Sequence, residues 1–176
     1  MLDRKSKQLV IDASVAGPRP SSTCHDFLLD VLHICHRAVI TPEILEEWDK
    51  HQTPSSGRWR RQMVACKKWQ PPKFKANMEI RDKARIAAAK EFDREKDRIA
   101  ILKDLHLIDA AFASDGIVVS CDREAGRLFA RLSQYVGELR DLVWVNPEEG
   151  DKNTAAWLEK GAEPVKSRRL GNMHIT

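Results

Sequence analysis

Near its start the chain reads Leu9-Val10-Ile11-Asp12-Ala13-Ser14-Val15, and the fold can be worked out from this segment. Its apolar run begins at Gln8 and stops at Asp12, and the turn formers Gly17-Pro18 follow shortly after. A short apolar run bounded by turn formers is typical of a strand that is buried on both faces. The segment therefore predicts a strand with an aspartate at its carboxyl end, where open α/β sheets bind their ligands.

Three further apolar runs follow along the chain: Ala38-Val39-Ile40, Ile117-Val118-Val119-Ser120 and Leu142-Val143-Trp144-Val145. Segments with helical spacing of apolar residues separate them, and Thr41-Pro42 is a typical helix start, with a capping residue followed by proline. Strands that alternate with helices predict an α/β fold with a doubly wound parallel sheet.

Length and composition limit the domain organisation. The chain has 176 residues, of which 42% are apolar and 32% charged, and its net charge is +4. This balance predicts a folded core and excludes a histone-like polybasic protein, so any nucleic-acid surface must be local. We expect a core domain over residues 1–150, with a helical, basic insertion at 52–100, and a short helix with a polar tail over 151–176. Four cysteines without a CxxC pair and apolar runs too short to span a bilayer favour a reducing cytoplasm.

Four acids from distant parts of the sequence are predicted to meet at one edge of this sheet. Asp12 ends the first strand, and Asp122 follows the third. Glu47 lies in the first half of the helix that begins at Pro42, and Asp104 is expected near the start of the helix before the third strand. The carboxyl ends of parallel strands share an edge with the starts of the following helices, so these side chains could converge there.

The electrostatic repulsion between carboxylates that converge in this way must be offset. Two of them about 5 Å apart repel by about 3 kcal/mol at an effective dielectric near 20. A cluster persists by raising pKa values or by holding a divalent cation, and an all-oxygen donor set favours Mg²⁺ or Mn²⁺ over zinc. A metal held in this way can polarise a phosphodiester and activate water for attack. Taken singly, each acid is also explained as a turn former, a helix cap or a surface charge.

The order of these four acid-bearing segments resembles that of the PIN domain, a metal-dependent nuclease fold found in the toxins of many prokaryotic toxin–antitoxin pairs. The segment that contains Asp104 is the third of the four, and PIN domains usually have alanine there at the position where this chain has Asp109. Asp104 and Asp109 lie roughly 140° apart around a helix, so they are not expected to serve one site equally. Asp104 is favoured, because it precedes Asp122 by 18 residues and is expected at the helix end that faces the active edge. The matching segments are residues 9–15, 40–48, 104–111 and 117–122.

The resemblance implies an endoribonuclease that hydrolyses RNA through metal-activated water, with Mg²⁺ or Mn²⁺ as its cofactor. It also implies a toxin-type protein with an antitoxin-like partner, and a homodimer is left open. The competing interpretation is a catalytically silent PIN-like module that binds RNA or a protein partner. The residues implied at the site are the metal ligands Asp12, Glu47, Asp104 and Asp122 and the hydroxyl residues Ser14 and Ser120.

From Lys50 to Met78 the chain contains eight basic residues and no acidic one. Cations neutralise phosphates and aromatic rings stack on unpaired bases, so this segment predicts a surface that binds single-stranded RNA. Two other interpretations stay open, namely aromatic residues that belong to the core and docking of an acidic partner. The predicted RNA-binding residues are Arg58, Trp59, Arg60, Arg61, Lys67, Lys68 and Trp69.

Other enzyme classes lack their motifs in this chain. There is no Gly-rich phosphate loop of the Walker or dinucleotide type and no Gly-x-Ser-x-Gly nucleophile elbow. A phosphatase of the haloacid dehalogenase type would carry a second aspartate two residues after Asp12, where this chain has Ser14.

Overall fold

A sheet of five parallel strands forms the centre of the computed structural model, which describes residues 6–17, 21–149 and 153–174. The strands are β1 (Gln8–Ile11), β2 (Arg37–Val39), β3 (Trp69–Gln70), β4 (Ile117–Val119) and β5 (Val143–Val145). They are ordered β3-β2-β1-β4-β5, and every neighbouring pair is parallel.

Helices flank this sheet in two groups. Within the described residues the α-helices are α1 (Ser22–His33), α2 (Pro42–Lys50), α3 (Pro54–Ala65), α4 (Met78–Glu91), α5 (Glu95–Phe112), α6 (Arg123–Leu132) and α7 (Thr154–Glu159). Helix α1 contacts α3 and α7, whereas α5 lies against β1 and β4 and contacts α2, α4 and α6. The predicted α/β class with a parallel sheet is confirmed, and the strand order is compatible with a doubly wound fold. In the described part of the chain no helix is long and apolar enough to cross a membrane.

The strand order reverses at β1, which positions the candidate site. From β1 the chain builds outwards to β2 and β3, and it then returns to place β4 and β5 on the other side. Ile11 is in register with Val119, and the backbone N–H of Asp12 donates to the Val119 carbonyl at 2.9 Å. The residues that follow β1 and β4 therefore lie side by side at the switch point, where a crevice forms in sheets of this kind.

The helix predicted from Thr41-Pro42 is confirmed. Thr41 Oγ1 accepts a hydrogen bond from the backbone N–H of Ile44 at 3.2 Å, and α2 ends at Lys50. Trp48 on this helix is 2% exposed, and its Nε1 donates to the Ile11 carbonyl at 2.9 Å. This bond ties α2, and with it Glu47, to the end of β1.

The basic insertion is not helical throughout, because Trp69 and Gln70 form an edge strand of the sheet. Ala38 is in register with Trp69. The indole of Trp69 packs edge-on against Trp48 at 5.3 Å between ring centroids, and Trp59 stacks on Trp48 at 5.3 Å. A two-residue strand has no periodicity of its own, and this one forms because its indole completes an aromatic cluster.

Asp104 lies in the middle of α5, so the expectation that it lies near the helix start was wrong. Helix α5 begins at Glu95, because the chain turns at Phe92, whose backbone is extended at φ −118° and ψ 112°. The Phe92 side chain is 1% exposed, and Arg98 Nη1 donates to its carbonyl at 2.7 Å. Burial of this ring therefore separates α4 from α5 and fixes where the longer helix begins.

The segment expected as a polar tail is packed against the sheet over its described part. The backbone N–H of Leu170 donates to the Leu142 carbonyl at 2.9 Å, and Arg169 forms an antiparallel bridge with Val143. Leu170 is 1% exposed, so the segment contributes to the core. The expected domain boundary between residues 150 and 151 and the last two residues of the chain lie outside the described residues.

Replacing Trp48 by alanine should lower the free energy of unfolding by about 3–5 kcal/mol, because it removes a buried indole and its hydrogen bond to β1. Urea denaturation followed by circular dichroism measures this loss. The matched control is Phe74→Ala. Because Phe74 is 64% exposed, this substitution should lower the free energy of unfolding by less than about 0.5 kcal/mol. Equal losses in both variants would contradict the assignment of Trp48 to the core.

Candidate functional site

The carboxylate of Asp12 joins the ends of β1 and β4 through two serine hydroxyls. Ser14 Oγ donates to Asp12 Oδ2 at 2.5 Å, and Ser120 Oγ donates to the same oxygen at 2.9 Å. Ser14 Oγ accepts from the backbone N–H of Cys121 at 3.0 Å, and Ser120 Oγ accepts from that of Asp122 at 3.1 Å. Both hydroxyl protons are therefore committed to Asp12, and these charge-assisted bonds fix its orientation.

A cavity of about 430 Å³ opens beside Asp12 at the point where the strand order reverses. The four acids predicted from the sequence all line it, and so does Ser14. Ser120 is fully buried and supports the cavity through its bonds to Asp12 and to the backbone of Asp122. The remaining lining residues are Ala13, Gly17, His51, Lys103 and His106.

The four carboxylates share the cavity without closing into a compact cage. In the described part of the chain, no three of them bring ligand oxygens within 4.8 Å of one another. Mg²⁺ usually keeps several waters and is held by one or two carboxylates together with substrate phosphates. The observed spacing therefore suits an open site in which some carboxylates would act through water.

Asp104 carries the largest electrostatic penalty of the four acids. Burial raises its pKa from an ordinary value of 3.8 to about 6, and the negative charges of Asp12 and Asp122 act in the same direction. The neighbouring cations Lys103 and His106 lower the pKa but do not offset burial. Half of the Asp104 population is thus protonated near pH 6, and a cation in the cavity would favour its ionised form.

Glu47 lines the same cavity but is already compensated. Partial burial works to raise its pKa, yet the hydrogen bond from Lys50 Nζ at 3.1 Å and the charges of Lys50, Lys103 and His106 lower it overall. His51 Nε2 lies 3.9 Å from its other oxygen. Nearby cations therefore favour the ionised form of Glu47, whereas burial disfavours the ionised form of Asp104.

Asp122 has a structural role as well as a place in the cavity. Its Oδ1 accepts a hydrogen bond from the backbone N–H of Ala125 at 3.0 Å and so caps the N-terminus of α6. One oxygen of this carboxylate is thus used by the helix. The alternative explanation of Asp122 as a helix cap is correct, and it does not conflict with the lining of the cavity.

Asp109, the acid that departs from the PIN pattern, lies outside the carboxylate cavity. It forms an ion pair with Arg81 at 3.1 Å and lines a separate cavity of about 140 Å³. Burial raises its pKa, and Arg81 opposes that shift. Of Asp104 and Asp109, only Asp104 lines the larger cavity, as expected from the sequence.

Sequence reasoning missed the basic side chains of the cavity. Lys103 and His106 flank Asp104 on α5, and His51 follows the end of α2. His106 Nδ1 lies 3.0 Å from the Lys103 carbonyl, while its buried Nε2 has no partner among the described residues. The only available signal was the closeness of these residues to Asp104 and Glu47 in the sequence.

Several residues predicted to bind RNA are committed to the fold. Trp59 is 4% exposed, and its Nε1 donates to the Leu28 carbonyl at 2.7 Å. Lys68 Nζ is used by the C-terminal end of α1, where it donates to the carbonyls of Val31, Leu32 and Ile34. Trp69 is half-buried beneath the guanidinium of Arg60, 5.1 Å from the ring centroid.

The basic segment contains no acidic residue, but acids from other parts of the chain contact it in the fold. Arg60 pairs with Asp49 at 2.8 Å, and Lys73 pairs with Asp115 at 2.7 Å. Acids from outside the segment therefore neutralise part of its charge. Of the predicted RNA-binding residues, the exposed ones are Arg58, Arg61 and Lys67.

No family model matches the chain, and comparisons with curated proteins and with solved structures also find no match. The comparisons therefore assign the chain to no family, and its likeness to PIN domains stays a prediction from the sequence.

Proposed function

We propose that this chain is a divalent-metal-dependent endoribonuclease of the PIN type. The observation that carries the proposal is that Asp12, Glu47, Asp104 and Asp122, from four separate segments, line one cavity at the strand-order reversal. Ligand sites gather at this position in open α/β sheets. Four carboxylates in one cavity repel one another, and a bound cation is what makes such an arrangement favourable.

The donor set suits Mg²⁺ or Mn²⁺. The predicted ligands are all carboxylates, and hard oxygen donors favour these cations over zinc. Asp104 is the side chain that gains most, because its pKa is raised by burial and by the charges of Asp12 and Asp122. When bound, the cation would polarise the phosphodiester and lower the pKa of a bound water.

The residues of the chain supply orientation and charge. Ser14 and Ser120 occupy Asp12 Oδ2, so Asp12 presents its Oδ1 with no hydrogen bond from the described residues. Lys103 places a positive charge in the cavity, where it would attract a phosphate group. Lys50 holds Glu47 in its ionised form and so keeps it available as a ligand.

The proposed path for RNA uses the exposed cations of the basic segment rather than its aromatic residues. Arg58 and Arg61 lie on α3, and Lys67 follows that helix. These side chains can neutralise phosphates without disturbing the core. Trp59 and Lys68 are left out, because the fold already uses both.

A second candidate is a catalytically silent PIN-like module that binds RNA or a protein partner. The spacing of the carboxylates favours it, since no three of them come within 4.8 Å in the described part of the chain. A silent module would bind RNA through the basic segment and show no dependence on divalent cations. The predictions on RNA cleavage and on Mn²⁺ stabilisation separate the two candidates.

Asp12→Asn and Asp104→Asn should each lower Mn²⁺-dependent cleavage of single-stranded RNA by at least about 100-fold, because each removes a charge from the proposed metal site. The assay uses a labelled oligonucleotide with and without chelator, and circular dichroism checks the fold. Asp109→Asn is the matched control on α5, since Asp109 pairs with Arg81 outside the cavity. Full activity of both cavity variants, or no activity of the wild type, would refute the nuclease.

Without metal, the chain should lose stability as the pH rises from about 4 to about 6. In this range folded Asp104 binds more protons than the unfolded chain, because its folded pKa is raised to about 6. Asp104→Asn should reduce this loss and melt higher than the wild type at pH 7. Each kcal/mol of unfolding free energy corresponds to a change of about 2–4 °C in the melting temperature of a chain of this size.

Mn²⁺ should narrow the difference in melting temperature between the two proteins at pH 7. A ligand at 100 times its dissociation constant adds about 2.7 kcal/mol, and the wild type should gain more from it than Asp104→Asn. Differential scanning fluorimetry with millimolar Mn²⁺ measures the shift. An equal shift in both proteins would place the metal elsewhere, and no shift in the wild type would favour the silent module.

Changing Arg58, Arg61 and Lys67 together to glutamine should weaken RNA binding and flatten its salt dependence. Each lost phosphate contact lowers the slope of log K against log salt by about 0.7 for a single strand. Cleavage at saturating RNA should change little, because uniform binding affects KM more than kcat.

The control for this triple variant removes three charges from other elements. Its substitutions are Lys90→Gln, Lys160→Gln and Lys166→Gln, all at exposed positions. The control should keep the wild-type slope. Equal slopes for all three proteins would mean that RNA does not follow the basic segment.

A further inference from the structure

Three metal-ligating side chains meet outside the carboxylate cavity. Cys24 lies in the first turn of α1, Cys121 follows β4, and Glu148 follows β5. One ligand atom from each lies within 4.8 Å of the other two, and no other group in the described part of the chain is this close. Cys24 Sγ is 2.7 Å from Cys121 Sγ and 3.8 Å from Glu148 Oε1.

The backbone at all three positions is held by hydrogen bonds. Each ligand residue donates its own backbone N–H to a side-chain oxygen of a residue on a neighbouring turn or strand end. The acceptors are Ser21 for Cys24 at 3.2 Å, Ser14 for Cys121 at 3.0 Å and Asn146 for Glu148 at 2.9 Å. These bonds fix the backbone positions from which the three side chains extend.

We propose that Cys24, Cys121 and Glu148 bind a thiophilic divalent cation of the zinc class. Two thiolates and a carboxylate, with the fourth position open to water, form a donor set that zinc takes and that Mg²⁺ avoids. Binding releases the two thiol protons to solvent. The proposal does not depend on the proposed nuclease activity, because this site and the carboxylate cavity share no ligand.

The carboxylate of Glu148 distinguishes a metal site from a disulfide. Cys24 and Cys121 are free thiols, and a disulfide between them would need no acid nearby. The carboxylate 3.8 Å from Cys24 Sγ accepts a hydrogen bond from the neutral thiol but repels the thiolate, so the deprotonated groups are favourable together only with a cation between them. Zn–S bonds of about 2.3 Å in tetrahedral geometry place two sulfur atoms about 3.8 Å apart, so the pair would open by about 1 Å.

A cation at this position would join three parts of the fold. It would link the start of α1 to the carboxyl ends of β4 and β5, which are already paired with each other at this edge. Cys121 lies between Ser120 and Asp122, so the cation would also restrain the segment that carries both. Zinc should therefore raise the melting temperature of the chain.

Titration of the reduced full chain with Zn²⁺ against a chromophoric chelator tests the proposal, with Co²⁺ as a spectroscopic probe. We expect one zinc per chain and, with Co²⁺, a thiolate charge-transfer band. Cys121→Ser should weaken zinc binding by at least about 100-fold and diminish that band. Glu148→Gln changes an exposed residue, so it should weaken binding by about 10-fold without affecting the fold.

Two variants serve as controls. Cys66→Ser removes an exposed thiol, and Asp104→Asn alters the carboxylate cavity, and both should bind zinc as the wild type does. Unchanged zinc affinity in Cys121→Ser and Glu148→Gln would overturn the proposal. So would a reduced chain that binds no zinc yet forms a Cys24–Cys121 disulfide with oxidised glutathione, with the loss of two hydrogen atoms by mass spectrometry.

Discussion

Two serine hydroxyls that donate to one oxygen of Asp12 hold together the ends of β1 and β4, and the candidate site depends on this contact. Parallel pairing alone would bring the two strand ends near each other, but it would leave a carboxylate with its full charge at the switch point. Ser14 and Ser120 share that charge, and each hydroxyl also accepts a backbone N–H from the segment after β4. One small network therefore satisfies the turn after β1 and positions the acid at the same time.

The acids around the cavity differ in how their charge is balanced. Glu47 has Lys50 on its own helix, so its ionised form is stable without help. Asp104 is half-buried on α5, and the nearby Lys103 and His106 do not offset its burial and its repulsion by other acids. A cation in the cavity would therefore stabilise the ionised form of Asp104 more than that of Glu47, because the fold leaves the charge of Asp104 uncompensated. This asymmetry is the physical reason to treat the cavity as a binding site rather than as a set of surface charges.

The strand ends could be predicted because they are local features of the sequence. Asp12 and Ser120 follow short apolar runs, and Thr41-Pro42 marks the start of α2, so their places needed no knowledge of distant contacts. The aromatic residues of the basic segment could not be placed in this way. Trp69 lies in a two-residue strand that is held by backbone bonds to the β2 region and by packing of its indole against Trp48, and both contacts are distant in sequence.

The charge that the basic segment leaves unpaired could not be predicted from the sequence either, because its ion-pair partners lie in other elements. The basic segment has no acid within it, yet Arg60 pairs with Asp49, and Lys68 caps the end of α1 with three hydrogen bonds. Such pairs depend on which helices pack together, and sequence spacing does not report that. The cysteines give the clearest case, since Cys24 and Cys121 are 97 residues apart and in contact.

The segment from Ser120 to Asp122 brings the two proposed sites together. Ser120 bonds to Asp12, the side chain of Cys121 contacts Cys24, and Asp122 lines the carboxylate cavity while it caps α6. These three consecutive residues have little freedom to move independently, because their backbone N–H groups already donate to the Val145 carbonyl, to Ser14 and to Ser120, respectively. A cation bound by the thiols would therefore restrict the position of Asp122, and the carboxylate cavity would be held more rigidly without any change in its own ligands.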